Sequence, residues 1–262
     1  MPKTRLDTLL TSRGLFPTRS RAAAAVMAGH VRLRGGPRAD KPGQLVADDV
    51  AVAVDAAPPY VSRGGVKLAN ALAAFAIDPA GGRCLDVGAS TGGFTDCLLK
   101  RGAEHVVALD VGYGELAWAL RNDPRVTVLE RVNARSLDPS LLPYRPGLIV
   151  ADLSFISLTK ALGAPLSAAA DRFDCLALVK PQFEVGRGGV GRGGVVRSAE
   201  LRRAALLAVG SWARAQGYCV LGYASSRLPG PAGNRESFVW IAEPGRSGEL
   251  ADLELAARRI EP

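Results

Sequence analysis

Hydrophobic and polar positions divide the chain into a short first segment and a longer second one. Within residues 1–57, leucines at helical spacing predict a helix over Arg5–Thr11, and Ala22–Met27 predicts a second one. Alternating apolar residues then predict strands at Val31–Leu33 and Val50–Val54, with a Gly-Gly-Pro turn after the first. Two helices and a few short strands indicate a small α+β domain.

The longer segment alternates apolar strands with amphipathic helices. The predicted strands are Arg83–Val87, His105–Asp110, Val126–Leu129, Leu148–Asp152 and Phe173–Lys180, and the predicted helices are Thr95–Arg101, Glu115–Asn122, Ser157–Ala170 and Ala199–Gln216. The last two strands, Tyr218–Ser225 and Glu236–Ala242, are joined by a loop alone, so they should form a hairpin. This pattern predicts an α/β fold with a doubly wound seven-stranded sheet and a terminal antiparallel hairpin, the Rossmann-like layout of class I methyltransferases.

Composition breaks mark the expected domain boundaries. We expect a small domain over 1–57, a linker over 58–62 beginning in the proline-rich stretch, a larger domain over 63–245 and a C-terminal helical tail over 246–262.

The strongest local motif is a glycine-rich turn between an apolar strand and a helix. Gly88, Gly92 and Gly93 stand where the backbone must turn tightly and where a ligand must approach closely. Asp110 ends the next strand, as expected of a carboxylate that binds ribose hydroxyls. The spacing departs from the dinucleotide pattern and favours a methyl-donor site, although NAD or a turn without a ligand also fits this stretch taken alone.

Positive charge is concentrated in the first segment. The net charge is +8, and residues 1–41 contain nine basic and two acidic side chains. A concentrated positive segment indicates a polyanionic partner, nucleic acid or an anionic membrane surface, with a solvated basic tail as the alternative.

The numbers and spacing of cysteine and histidine argue against disulfides and against a metal centre. The four cysteines have no Cys-x-x-Cys spacing, and only two histidines occur, so we expect reduced, mostly buried thiols in a cytoplasmic protein and no metal centre. No leader-like or membrane-length apolar stretch is evident, which predicts a soluble protein.

Several motifs carry a resemblance to a known family. Arg5-Leu6-Asp7, Thr18–Arg21 and Ala28–Val31 resemble the S4 RNA-binding fold. The longer segment resembles the TlyA family of bacterial ribosomal RNA 2′-O-methyltransferases, often labelled haemolysins, in the stretches Tyr60–Leu68, Asp86–Thr95, Ala151–Ser157 and Leu178–Glu184. That family joins an S4 domain to an FtsJ-like methyltransferase domain, and the resemblance runs from Arg5 to about Ala242.

The resemblance implies S-adenosyl-L-methionine as cofactor and ribosomal RNA, within ribosomal subunits, as partner. It implies a catalytic tetrad at Lys67, Asp152, Lys180 and Glu236. We expect the cofactor to contact Asp86, Gly88, Ala89, Ser90, Thr91, Gly92, Gly93, Phe94, Asp110, Val111, Asn133, Asp152 and Leu153. The expected RNA contacts are Arg5, Arg19, Arg21, Lys41, Arg63 and Arg187, and the protein should be a monomer or a weak dimer.

The residues themselves are compatible with these roles. Asp152 and Lys180 each end a predicted parallel strand, where open α/β sheets bind ligands. A ribose hydroxyl needs orientation and a path for its proton, which lysines between carboxylates can provide. Which lysine accepts the proton stays open from sequence; we favour Lys180, with Lys67 positioning the substrate.

Three further interpretations stay open. The repeated Gly-Arg-Gly-Gly-Val at 186–195 fits a flap over RNA phosphates or an ordinary surface loop. Asn133 fits an adenine pocket or a turn. For the whole protein, the alternatives are a small-molecule O-methyltransferase, which the basic first segment disfavours, and a non-enzymatic haemolysin or RNA-binding protein.

Overall fold

The computed structural model describes residues 3–27, 29–33, 39, 41–55 and 58–261. The chain divides into two compact units, Met1–Pro58 and Pro59–Pro262. The turn predicted at 35–37 lies outside the described residues.

The described residues of the smaller unit form two helices and four three-residue strands. These are β1 (Lys3–Arg5), α1 (Leu6–Ser12), α2 (Arg19–Met27), β2 (Val31–Leu33), β3 (Leu45–Ala47) and β4 (Val52–Val54). Strand β1 pairs antiparallel with β3, and β2 pairs antiparallel with β4. Leu6, Leu10 and Val26 pack together in its core. The sequence predicts both helices but not β1 or β3, because Lys3–Arg5 is polar throughout and Leu45–Ala47 is apolar throughout, so neither stretch alternates.

The larger unit is built on a seven-stranded sheet. Its elements are α3 (Arg63–Phe75), β5 (Arg83–Val87), α4 (Gly93–Lys100), β6 (His105–Asp110), α5 (Trp118–Arg121), β7 (Val126–Glu130), β8 (Leu148–Ala151), α6 (Leu158–Ala161), α7 (Gly163–Ser167), β9 (Asp174–Val179), α8 (Pro181–Glu184), α9 (Ala199–Ala215), β10 (Cys219–Ser225), β11 (Ser237–Ala242) and α10 (Leu253–Ile260), with 3₁₀ turns at Ala134–Ser136, Pro139–Leu141, Arg187–Gly189 and Arg192–Gly194.

The sheet order is β10-β11-β9-β8-β5-β6-β7. Strand β11 runs antiparallel to both of its neighbours, and the other strand pairs of this sheet are parallel. Successive side chains of β5 enter different cores, Cys84 on one face and Leu85 on the other, so both faces of the sheet are covered. The predicted doubly wound sheet with a terminal hairpin is confirmed.

Two helices differ from their predicted lengths. The helix expected over Ser157–Ala170 is two short helices, α6 and α7, because Pro165 has no N–H to continue a regular helical ladder. The helix expected over Glu115–Asn122 is confined to Trp118–Arg121.

Residues 59–62 of the expected linker and the expected helical tail lie within the larger unit. In the expected linker, the Val61 N–H donates to Asp96 Oδ2 at 2.8 Å, and Lys100 Nζ donates to the Pro59 carbonyl at 2.7 Å. In the expected tail, Leu253 and Ala257 lie in the core. Apolar burial and hydrogen bonding thus fix both stretches to the sheet domain.

All four cysteines are buried free thiols, as predicted. None of the helices in the described part of the chain has the length and apolar character of a membrane span.

Candidate active site

The glycine-rich turn lies at the carboxyl end of β5 and leads into α4. Gly88 has φ +87°, and a Cβ there would stand 2.7 Å from the Asp152 carbonyl oxygen. Only glycine combines that backbone conformation with so close an approach to the next strand. The turn is therefore narrow, and it leaves the backbone of 88–91 facing a cavity.

Asp86 is fully buried beneath this turn. Its Oδ2 accepts hydrogen bonds from the Thr95 N–H at 2.9 Å and the Thr95 hydroxyl at 2.7 Å, while Oδ1 has no partner among the described residues. Burial raises the pKa of Asp86 to about 7, and the negative charge of Asp152 contributes. Asp86 is not among the residues that line the two cavities at this end of the sheet.

A cavity of about 460 Å³ lies beside the turn, between the ends of β5, β6 and β8. Asp110 borders it, with Oδ2 accepting from the Ser90 N–H and Oδ1 from the Gly112 N–H, both at 2.7 Å. Each carboxylate oxygen can accept a further hydrogen bond. Val111, Asn133, Asp152 and Leu153, all expected at the cofactor, also line this cavity.

Asn133 has a structural role as well. Its side-chain Oδ1 accepts from the Arg135 N–H at 3.0 Å and so caps the 3₁₀ turn Ala134–Ser136. The turn interpretation and the pocket interpretation are both compatible with this placement.

A second cavity, of about 280 Å³, brings the four tetrad positions together. Its lining includes Lys67 from α3, Asp152 after β8, Lys180 after β9 and Glu236 before β11. The two cavities share Gly88, Ser90, Asp152 and Ser154, so a ligand in one borders the other. Among the expected cofactor residues, Ala89, Thr91, Gly93 and Phe94 line the second cavity.

The four tetrad side chains form two ion pairs. Lys67 Nζ pairs with Glu236 Oε2, and their side chains are only 7% and 1% exposed. Lys180 Nζ lies 2.6 Å from Asp152 Oδ1, with side chains 12% and 23% exposed. Both pairs line the cavity, but the Lys180–Asp152 pair is the more exposed of the two and has the better access to an incoming substrate.

Sequence reasoning overlooked Ser154 and Phe155. Lys180 Nζ donates to Ser154 Oγ at 2.8 Å, which fixes the ammonium group from a second side. Phe155 has φ +67°, is 92% exposed and borders the larger cavity, with its ring 5.5 Å from that of Phe183. Both lie in the stretch Ala151–Ser157 that carries the family resemblance, but nothing in their residue types marks them.

Two expected RNA contacts share an internal partner in the smaller unit. Arg5 forms two hydrogen bonds to the Asp7 carboxylate, at 2.7 and 3.2 Å, and Arg19 Nη2 lies 3.4 Å from the same group. Arg21 and Lys41 are exposed.

In the larger unit, Arg63 is exposed, borders the tetrad cavity and donates to the Pro229 carbonyl at 2.6 Å. The side chain of Arg187 lies outside the described part of the structure. No group of three or more potential metal ligands occurs among the described residues.

Comparisons with known proteins give the chain a family. The sequence pattern of the FtsJ-like methyltransferases matches residues 60–243, and that of the S4 domain matches residues 4–49. A 16S/23S rRNA (cytidine-2′-O)-methyltransferase TlyA of Mycobacterium tuberculosis is 52% identical over 260 residues, which cover 98% of this chain and 97% of the relative. Hemolysin A of Brachyspira hyodysenteriae is 42% identical over 187 residues, covering 71% and 78%.

A solved structure from Streptococcus thermophilus that bears the name hemolysin has 38% identity and a TM-score of 0.74. It covers 99% of this chain, and this chain covers 96% of it. The predicted resemblance is confirmed over nearly the whole length. The chain belongs to the TlyA family, in which an S4 domain precedes an FtsJ-like methyltransferase domain.

Proposed function

We propose that this chain transfers a methyl group from S-adenosyl-L-methionine to a ribose 2′-hydroxyl of ribosomal RNA, with cytidine as the nucleotide, as the name of the mycobacterial relative states for that protein. The observation that carries the proposal is the single cavity lined by Lys67, Asp152, Lys180 and Glu236, which opens into the cavity bordered by Asp110. A nucleophile and a methyl donor held in these adjoining cavities would meet at their common wall.

The residues around the larger cavity fit the cofactor. The glycine-rich turn lets a ligand approach its backbone closely, and Asp110 has acceptor capacity for ribose hydroxyls. Asp86, which the sequence predicts at the cofactor, is buried behind the turn and lines neither cavity. In the proposal, the turn 88–94 holds the methionine end, while Val111, Asn133 and Leu153 surround the adenine. When bound, the cofactor would supply an electrophilic methyl carbon on a sulfonium, whose sulfur would leave as a neutral thioether when the ribose oxygen displaces it.

The side chains then have distinct tasks. Asp152, whose Oδ1 lies 2.6 Å from Lys180 Nζ, takes one proton from the ammonium group, and Nζ accepts the hydroxyl proton as the ribose oxygen forms its bond to carbon. Ser154 holds that nitrogen in place. The enclosed Lys67–Glu236 pair forms the opposite wall and orients the nucleotide. Orientation and proton removal are what a poorly acidic hydroxyl requires.

RNA recognition is assigned to the basic side chains. Arg5, Arg19, Arg21 and Lys41 of the S4 domain would contact phosphates, and Arg63 would hold the backbone beside the target ribose. Arg187 remains a predicted RNA contact. With ribosomal subunits as substrate, the protein would act in the cytoplasm.

The test is methylation of isolated subunits. Purified protein is incubated with labelled S-adenosyl-L-methionine and either 30S or 50S subunits from a strain that lacks the gene, and the RNA is digested for nucleoside mass spectrometry. We expect 2′-O-methylcytidine in at least one subunit, and none when the subunits come from cells that already express the protein. Label found on a base, or no label on either subunit, would overturn the proposal.

A further inference from the structure

The repeated stretch 186–195, here called the Gly/Arg segment, is fixed at its far end by one buried side chain. Asn234, only 1% exposed, accepts a hydrogen bond from the Val196 N–H at 2.8 Å and donates one to the Gly194 carbonyl at 2.8 Å. A side-chain amide offers a donor and an acceptor together, so it satisfies both backbone groups at once.

The main chain of Asn234 also closes the loop that precedes Glu236. Its carbonyl accepts from the Gly230 N–H at 2.8 Å. Gly230 in turn lies against the Glu236 carboxylate, because a Cβ at position 230 would clash with Glu236 Oε1. The loop therefore touches the carboxylate directly and limits where it can lie.

Other contacts also restrict the position of Glu236. It is 2% exposed and pairs with Lys67, and its carbonyl accepts from the Ser226 N–H at 3.0 Å. A displacement of the loop by a few tenths of an ångström would move the carboxylate, since close-packed groups have no spare volume.

We propose that Asn234 is a positioning residue that couples the Gly/Arg segment to the Lys67–Glu236 pair. The inference rests on the proposed function. The exposed part of the segment, which carries Arg192, thereby reaches the enclosed ion pair through Asn234, the loop 230–233 and Gly230. Asn234 acts on the reaction through Glu236 and does not touch the substrate.

The experiment compares Asn234→Ala with Gly230→Ala. The first substitution removes both side-chain hydrogen bonds; the second pushes on the Glu236 carboxylate and leaves those bonds intact. Single-turnover methylation of the responsive ribosomal subunit, at saturating cofactor, should slow by about 10- to 100-fold in both variants, the scale expected of a displaced catalytic group. Affinity for S-adenosyl-L-methionine and for the subunit should change less than about twofold, well below the tenfold range of that scale.

Tyr144→Phe is the matched control. It removes a hydroxyl that bonds two backbone carbonyls, those of Cys84 and His105, at the amino ends of β5 and β6, whereas the tetrad lies at the carboxyl end of the sheet. It should lower the melting temperature and leave the single-turnover rate unchanged. Hydrogen–deuterium exchange adds a readout that needs no activity: in Asn234→Ala, protection should fall both at Val196 and at 230–233.

The outcomes separate the two proposals. A wild-type rate in Asn234→Ala, a loss confined to subunit affinity, or increased exchange at Val196 alone overturns the coupling but leaves the proposed function standing. Absence of methylation by the wild-type protein overturns the proposed function, and the exchange pattern then still decides the coupling.

Discussion

The two units each bury an aspartate, and the two carboxyl groups have pKa values shifted in opposite directions. In the smaller unit, hydrogen bonds from the Arg5 guanidinium lower the pKa of Asp7 to about 2, although the side chain is 6% exposed. In the larger unit, burial raises the pKa of Asp86 to about 7, because only the neutral groups of Thr95 donate to it. A nearby cation decides the sign of the shift.

The charged side chains of the two units are placed differently. The smaller unit has basic side chains in excess and satisfies its buried carboxylate internally, with Arg5 and Arg19 still about half exposed. The larger unit gathers the tetrad charges around a cavity and leaves several buried polar atoms, Asp86 Oδ1 and Gln182 Oε1 among them, without a hydrogen-bond partner among the described residues. A surface of exposed cations suits a polyanion, while enclosed and incompletely satisfied groups suit a small ligand and chemistry.

The largest expected effect concerns the more exposed of the two tetrad ion pairs. Lys180→Ala should lower the single-turnover rate by about 10²–10⁴-fold, the usual contribution of acid–base catalysis, with cofactor affinity nearly unchanged. Lys100→Ala, which removes an exposed lysine paired with Asp96, should keep the wild-type rate. A Lys180→Ala variant with more than about a tenth of the wild-type rate would contradict the assigned role.

Asp110 tests whether the enclosed carboxylates of the larger unit bind the cofactor. Asp110→Ala should weaken the binding of S-adenosyl-L-methionine by about 1–3 kcal/mol, the cost of losing a charged hydrogen-bond acceptor. Isothermal calorimetry measures the affinity, and circular dichroism verifies the fold. Unchanged affinity in a folded variant would remove Asp110 from the site.

The opposite pKa shifts predict opposite responses to pH. Folded Asp86 keeps its proton up to about pH 7, whereas the unfolded chain releases it near pH 4, so wild-type stability falls as pH rises through that interval. Asp86→Asn cannot ionise, and its melting temperature should rise relative to wild type between pH 5 and pH 8. The three tryptophans, at 118, 212 and 240, all lie in the larger unit, so their fluorescence follows this unit alone.

Asp7→Asn is the counterpart in the smaller unit. Its ion pair stabilises the fold above the unfolded pKa near 4 and loses that effect as pH falls towards 2. At neutral pH the variant should lose about 1 kcal/mol, since Arg5 is half exposed and partly screened. Hydrogen exchange of α1 and α2 measures this loss, and a pH response of the same sign in both variants would refute the contrast.

The smallest effect is expected at the exposed cations. Arg19→Ala should weaken subunit binding a few-fold and reduce the slope of log affinity against log salt by about 0.7–0.9, as expected for one phosphate contact. Arg258→Ala, on the exposed face of α10, is the control and should leave the slope unchanged. An Arg19→Ala defect that does not depend on salt would mean that the side chain acts by holding Asp7.

The sequence was sufficient to predict elements that have a clear hydrophobic periodicity or a distinctive local motif. The strand periodicity predicted the sheet and its hairpin, and the glycine-rich turn placed a ligand-sized cavity at the end of β5. It failed at β1 and β3, whose partners are some 40 residues apart in the chain, and at α6 and α7, where Pro165 divides an otherwise helical pattern. Short elements depend on their tertiary partners, which periodicity does not reveal.

Spacing and composition along the chain were enough to predict the α/β sheet and the basic first segment, and the family resemblance alone named the four tetrad positions as a prediction. Only the tertiary structure decided that Lys67 pairs with Glu236 and Lys180 with Asp152, that the first pair is enclosed, and that Asn234 holds two loops together. Such pairings join residues far apart along the chain, and burial and hydrogen-bond geometry select among them only after the sheet has brought the strand ends to one edge.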